Sequence, residues 1–178
     1  MMLYRLINKL KLKKYLNHGL KIGENFSMQS RVHIDSGFAY LIEIGNNVTL
    51  APEVMILAHD ASAKKNGGYT SIGKVKIGDN VFIGAKTIVL EDVTIGNNVI
   101  IGAGSVVTKN IPSNSVACGN PAKVIKKNDE FIKKNRNNFL KSKVFEKGMI
   151  QRARKNPLIY RQITDELENG EKGFINEN

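Results

Sequence analysis

Between Ile77 and Pro112 a β-branched aliphatic residue returns at every sixth position: Ile77, Ile83, Val89, Ile95, Ile101 and Val107. Four residues after each stands a second candidate for the interior, at Val81, Thr87, Val93, Val99, Ser105 and Ile111. Polar residues fill most of the remaining positions, and glycine follows the aliphatic at Gly78, Gly84, Gly96 and Gly102. A period of six fits neither an α-helix nor a long strand, whose side chains repeat at 3.6 and 2. It fits a solenoid in which each hexad is a short strand plus a corner. Glycine suits such corners because it takes positive φ without a steric penalty. The pattern therefore predicts an all-β solenoid with an aliphatic interior, and it leaves the hand of the coil open.

Upstream the same pattern is weaker, pairing Ile22 with Phe26, Met28 with Val32 and Ile34 with Phe38. A four-residue insertion at residues 40–43 breaks it. It resumes at Ile44 with Val48, Leu50 with Val54 and Ile56 with Asp60. An inward Asp60 would be a buried charge, so the coil must break there. Residues 61–76 are polar and contain glycine, and a loop of this length in a compact domain is commonly functional. Twelve hexads at three per coil make four coils, stacked about 4.8 Å apart by strand pairing, and the whole solenoid is expected to hold about four to five coils.

The flanks read differently. Residues 1–18 form an amphipathic helix with Leu3, Leu6, Ile7 and Leu10 on one stripe and Arg5, Lys9, Lys11, Lys13 and Lys14 around it. Such a helix suits either a membrane surface or the open edge of the first coil, and the cap is favoured because an uncovered edge would pair with other chains. After Pro112 one more strand turns through Gly119, Asn120 and Pro121. Asn128 and Asp129 then resemble a helix N-cap, and Asn156 followed by Pro157 marks a second helix start. Ile159, Ile163 and Leu167 hold one face of that helix, and Gly170 supplies a stop. The domain plan is thus a basic helix over 1–20, a solenoid over 21–127 carrying loop 61–76, and a helical extension over 128–178.

Composition narrows the function. The 178 residues carry a net charge of +11, all of it in the flanks: residues 1–21 hold +6, 22–125 are neutral, and 126–178 hold +5. No nucleic-acid motif accompanies that charge, so a nucleic-acid partner is not expected. No run approaches the roughly 18 apolar residues of a membrane span, and no secretory signal is visible. A single cysteine suits a cytoplasmic protein, with the basic helix as a route to the inner face of the membrane.

The run I-G-D-N-V-F-I-G-A-K-T-I-V-L-E-D-V-T-I-G-N-N-V-I-I-G-A-G-S-V-V-T-K-N-I-P-S-N-S-V-A-C-G-N-P-A-K-V-I-K resembles the hexapeptide-repeat acyltransferases over residues 42–126. Within them it is similar to the maltose and galactoside O-acetyltransferase branch, including polysaccharide-modifying relatives. The resemblance implies a left-handed parallel β-helix, a hand opposite to the usual crossover rule. It further implies a homotrimer, acetyl-CoA as donor, and active sites in clefts between subunits.

Acetyl transfer to a hydroxyl needs a base that takes the proton as oxygen attacks, and imidazole, with a pKa of about 6.5, is suited to it. His59, in L-A-H-D-A, stands where the coil breaks, and the resemblance places the catalytic base there. His33, in the weaker early repeats, is a candidate substrate contact, and His18 lies in the basic helix. A carboxylate is expected to orient such a base. Asp60 is adjacent in sequence but points to the opposite side of a strand. Asp35 comes from an earlier coil, a candidate to stack beneath His59, and it is also the candidate acceptor contact. The resemblance assigns an oxyanion donor to the backbone N–H of Ala85. It also lays Ala103, Thr108 and Lys109 along the cofactor groove, and turns Lys123 and Lys126 toward the adenosine phosphates. Cys118, with no basic neighbour in sequence to activate it, reads as filler rather than nucleophile.

The expected activity is direct transfer from acetyl-CoA to a hydroxyl of a sugar or surface-polysaccharide precursor, without an acyl-enzyme. The amine of a nucleotide-linked amino sugar is the alternative acceptor. A zinc carbonic anhydrase on this scaffold needs three histidines at one interface, and one of the three here is in the terminal helix. A passive solenoid is expected to display flat Thr or Asn arrays, which the repeats do not announce.

Overall fold

A computed structural model describes residues 2–168 and 172–177, with side chains from residue 7 onward. The Leu3 and Leu6 side chains of the helical stripe and the Gly170 stop lie outside the described residues. The chain divides into two compact units, Met1–Asp129 and Glu130–Asn178.

The first unit is a parallel β-helix of three faces. The first face stacks Lys21–Ile22, Ile42–Ile44, Val75–Ile77 and Thr94–Ile95. The second stacks Ser27–Met28, Thr49–Leu50, Phe82–Ile83, Ile100–Ile101 and Ser115–Gly119, and the third His33–Ile34, Met55–Ile56, Ile88–Val89 and Val106–Val107. In most of the two-residue strands one side chain is buried and the other faces outward, because successive Cβ atoms alternate. Ile34, Ile56, Val89 and Val107 accordingly stack at 0% exposure on the third face. Thr87 and Ser105 also point inward. Both hydroxyls donate to the Gly102 carbonyl, at 3.1 and 2.6 Å, so neither is a buried orphan.

Register explains the breaks in the pattern. Ile22 lies opposite Ile44, Ile44 opposite Ile77, Ile77 opposite Ile95 and Ile95 opposite Ile111, so successive coils take 22, 33, 18 and 16 residues. The third coil is three clean hexads. The first gains four residues as a 3-10 turn, Ala39–Leu41. The second contains the excursion. It is a hairpin of His59–Asp60 against Ser71–Ile72 with a single helical turn at Lys64–Gly67, and the coil resumes at Val75. The fourth coil is two residues short. Ile111, read from sequence as the second interior residue after Val107, instead opens a fifth, partial coil beside Ile95.

One corner carries an array that the hydrophobic pattern hides. Asn25, Asn47, Asn80, Asn98 and Asn114 all take φ between 54° and 59°. Their amides form a ladder, each donating to the next at 2.9–3.1 Å. Asn tolerates this left-handed conformation better than other residues with a Cβ. A second ladder runs beside it, in which the side-chain oxygens of Asn46, Asp79, Asn97 and Ser113 accept the backbone N–H of the coil before. The expectation of no Asn array is corrected here. The array sits at a corner and serves the scaffold.

Helix α1 (Met2–Asn17) caps the open edge of the first coil. Tyr15 is buried in the core and Leu12 half-buried against it, while the Tyr15 hydroxyl accepts the Ile34 N–H at 3.4 Å. Asn8 donates to the Met28 carbonyl at 3.0 Å. Edge groups that would otherwise recruit a foreign strand are thereby engaged. Among the described residues no helix is long and apolar enough to cross a membrane.

At the other end, Ser115–Gly119 folds back as an antiparallel hairpin with Ala122–Lys127. The second unit holds most of the helix Asn128–Lys141, two further helices, Lys147–Ala153 and Pro157–Asp165, and a parallel pair of strands, Val144–Glu146 with Phe174–Asn176. The Asn156 cap is present, its side chain accepting the Leu158 N–H at 3.0 Å. The helix at Lys147–Ala153 has no counterpart in the sequence reading.

Candidate active site

The excursion leaves the β-helix at the corner that follows the third face, and His59 is its first residue. The strand Met55–Ile56 delivers the chain to Leu57, Ala58 and His59. Ala58 is fully buried, and the next coil is reached only after Gly73, whose N–H returns to the Ala58 carbonyl at 3.1 Å. The imidazole therefore stands at the neck of a closed excursion, anchored on both sides by the scaffold.

Directly below, at the same corner of the first coil, lies Asp35. Its Oδ2 is hydrogen-bonded to His59 Nδ1 and accepts the Ala58 N–H at 3.2 Å; its Oδ1 accepts the Gly37 N–H at 3.2 Å. The Asp35 side chain is 6% exposed and that of His59 35%. Burial pushes the Asp35 carboxyl upward. The His59 hydrogen bond, the Ala58 N–H, the His59 charge and the Gly37 N–H together outweigh it, so the group lies below its ordinary value. Asp35 is thus an acceptor at neutral pH, and His59 Nδ1 must donate to it. That tautomer leaves the lone pair on Nε2, the arrangement of a base. Phe38, just ahead of the four-residue insertion, packs against the imidazole with ring centroids 4.8 Å apart and planes tilted 34°.

Asp35 was a candidate for acceptor contact and for orienting His59. Its buried carboxylate meets the imidazole and two backbone N–H groups, so it faces His59 and not an open surface. Asp60 is exposed, and its carboxyl lies below its ordinary value because it accepts the Ser62 N–H and hydroxyl. His33 is exposed on the third face, opposite Met55, with no bond to His59 among the described residues. His18 donates from Nδ1 to the Ser36 carbonyl at 2.7 Å.

The remaining candidates lie on later coils. Ala85 and Ala103 stack at the corner between the second and third faces, joined by the Gly104 N–H donating to the Ala85 carbonyl at 2.8 Å. Neither alanine's own N–H has an acceptor among the described residues. Thr108 and Lys109 are exposed at His59's corner two coils on, and Lys123 is exposed and Lys126 half-buried on the final hairpin. Cys118 is half-buried over Gly102. One chain therefore brings His59, Asp35 and Phe38 together and leaves the Ala85–Ala103 corner on a different edge. Phe38 was missed by its role: the signal was the insertion itself, which breaks register just after the residue that backs the histidine. A groove of about 610 Å³ runs along the first face over Gly23, Gly45, Gly78 and Gly96, away from this corner. Among the described residues no group of three or more His, Cys, Asp or Glu is placed to hold a metal ion.

Residues 74–109 match the model of the bacterial transferase hexapeptide, six repeats. Protein CapG of Staphylococcus aureus is 50% identical over 91 residues, covering 49% of this chain and 53% of its own. The galactoside O-acetyltransferase of Escherichia coli is 39% identical over 127 residues, covering 59% and 62%. A maltose O-acetyltransferase from Clostridium difficile has a crystal structure that aligns at TM-score 0.55 with 48% identity, over 61% of this chain and 59% of that one. The β-helical region is thus similar to the hexapeptide-repeat acetyltransferases, and its coil has the fold of their left-handed parallel β-helix. The chain spans less than two thirds of the length of the curated relatives named here.

Proposed function

We propose that the protein is an acetyl-CoA-dependent O-acetyltransferase whose acceptor is a hydroxyl of a sugar or of a surface-polysaccharide precursor. The observation that carries this reading is the Asp35–His59 pair, an oriented imidazole at the neck of the excursion with Nε2 uncommitted. A passive solenoid has no use for a buried carboxylate holding a half-exposed histidine, since both groups would be better replaced by apolar filler.

His59 Nε2 takes the acceptor hydroxyl proton as its oxygen attacks, and the resulting imidazolium is stabilised by the Asp35 carboxylate. Acetyl-CoA supplies the acetyl group: the new ester C–O bond forms, the C–S bond breaks, and the sulfur leaves with the proton that His59 returns. The unpaired N–H of Ala85 is suited to the negative charge that develops on the thioester oxygen. The small side chains of Ala85 and Ala103 leave room at that corner for the donor's pantetheine arm. Lys109, Lys123 and Lys126 offer charge to phosphates, as single donors without an arginine's paired fork.

Because His59 and the alanine corner lie on different edges, a complete site draws His59 from one subunit and the groove from the next, in a homotrimer. The test is acetyl-CoA turnover by free-thiol release against a panel of hydroxyl and amino sugars. Substituting His59→Ala is expected to lower kcat by about 10²–10⁴-fold. Equal turnover in the two proteins overturns the assignment.

A further inference from the structure

The insertion that lengthens the first coil follows directly on the ring that backs the histidine. Residues 38–41 carry two aromatic rings, Phe38 and Tyr40, with centroids 6.3 Å apart and planes tilted 46°. With His59 against Phe38, three rings run outward from the catalytic corner, and the outermost, Tyr40, is 55% exposed. Apolar surface of that size, left open beside a base, is the usual lining of a ligand site.

Tyr40 is also held from behind. Gly19 takes φ +90°, and a Cβ there would stand 2.8 Å from Tyr40 Cβ, so the connection out of α1 passes directly against the tyrosine. One residue earlier, His18 Nδ1 donates to the Ser36 carbonyl at 2.7 Å. The Gly37 N–H is fixed on Asp35 Oδ1. The segment between Asp35 and Leu41 is therefore braced at both the carboxylate and the capping helix. A surface fixed before binding loses less freedom when a ligand arrives.

We infer that Tyr40, backed by Phe38, is the platform on which the acceptor's pyranose ring lies, the apolar C–H face of the sugar against the aromatic face and a hydroxyl directed at His59. A pyranose matches this surface because it carries a flat patch of C–H groups within a rim of hydroxyls. A small flexible alcohol would leave the tyrosine uncovered. The inference deepens the transferase reading and rests on it for the role of His59, though not for binding itself.

Binding and turnover are therefore measured separately. Saturation-transfer NMR on the full chain with a panel of methyl pyranosides is expected to mark the C–H protons of one ring face. The signal is expected to persist in Tyr40→Phe and to fall in Tyr40→Leu and Tyr40→Ala. In acetyl transfer, Tyr40→Ala should raise the KM for the methyl pyranoside acceptor by about tenfold. Binding that Tyr40→Ala leaves intact, or no pyranoside binding by the wild type, overturns the platform. Tyrosine-dependent binding without any acetyl transfer upholds the platform and overturns the transferase reading instead.

Discussion

Asp35 is polarised by its neighbours in a way that gives it two measurable signatures. Its carboxyl lies below the ordinary value of 3.8, so its contribution to stability is present above about pH 4 and is lost as pH falls through the lower folded-state value. In Asp35→Asn the loss of stability between about pH 5 and pH 3 should be shallower than in the wild type, read as urea midpoints across that range. The same variant should lower kcat by about 10²–10⁴-fold, because the amide no longer fixes the tautomer that leaves Nε2 basic. Combined with His59→Ala it should add little further loss, since residues acting as one unit are not additive. Sequence alone placed His59 at the break, because the failure of the Ile56–Asp60 pair requires a discontinuity there. It left Asp35 between two roles. Contact between residues 24 positions apart depends on the length of the first coil, and that length is altered by the insertion.

At the level of elements, the corner ladder shows what a hydrophobic pattern cannot carry. The signal was present as I-G-E-N, I-G-N-N, I-G-D-N and I-G-N-N at residues 22–25, 44–47, 77–80 and 95–98. Attention to the aliphatic and the glycine passed over the asparagine. Asn80 donates to Asn98 and accepts from Asn47 while at φ 55°. Asn80→Ala removes both bonds and places a less tolerant residue in the left-handed region. It should destabilise the β-helix by about 2 kcal/mol, measured by urea unfolding, with Asn80→Gly costing less. The capping helix was legible because its composition demanded a use for an apolar stripe. Its anchors were not, since the edge groups of the first coil met by Asn8 and Tyr15 are backbone atoms with no signature in sequence. The misassigned Ile111 has a similar cause: a shortened coil keeps the same residue buried while moving it to another face.

For the whole molecule, the separation of His59 from the Ala85–Ala103 corner makes a directional prediction about assembly. A ring in which each subunit lends its histidine to the next subunit's groove is a heterologous contact that closes. His59→Ala and Ala85→Trp are each expected to be inactive alone, the second because indole fills the groove. Unfolded and refolded together in equal amounts, they should recover about a quarter of wild-type activity, since one hybrid interface then has both halves intact. Recovery no greater than the sum of the separate proteins would place the whole site within one chain.

The first coil accommodates its extra turn without disturbing the pairing on either side: His33 still lies opposite Met55 before it, and Ile42 opposite Val75 after it. A solenoid transmits length changes poorly, because every face is re-registered by the coil above. Residues 36–41 are therefore a place where a few side chains can be inserted, deleted or recast while the Asp35–His59 pair and the stacked aliphatics stay where they are. Diversification of one corner, at little cost to folding, is the evolutionary freedom this architecture confers.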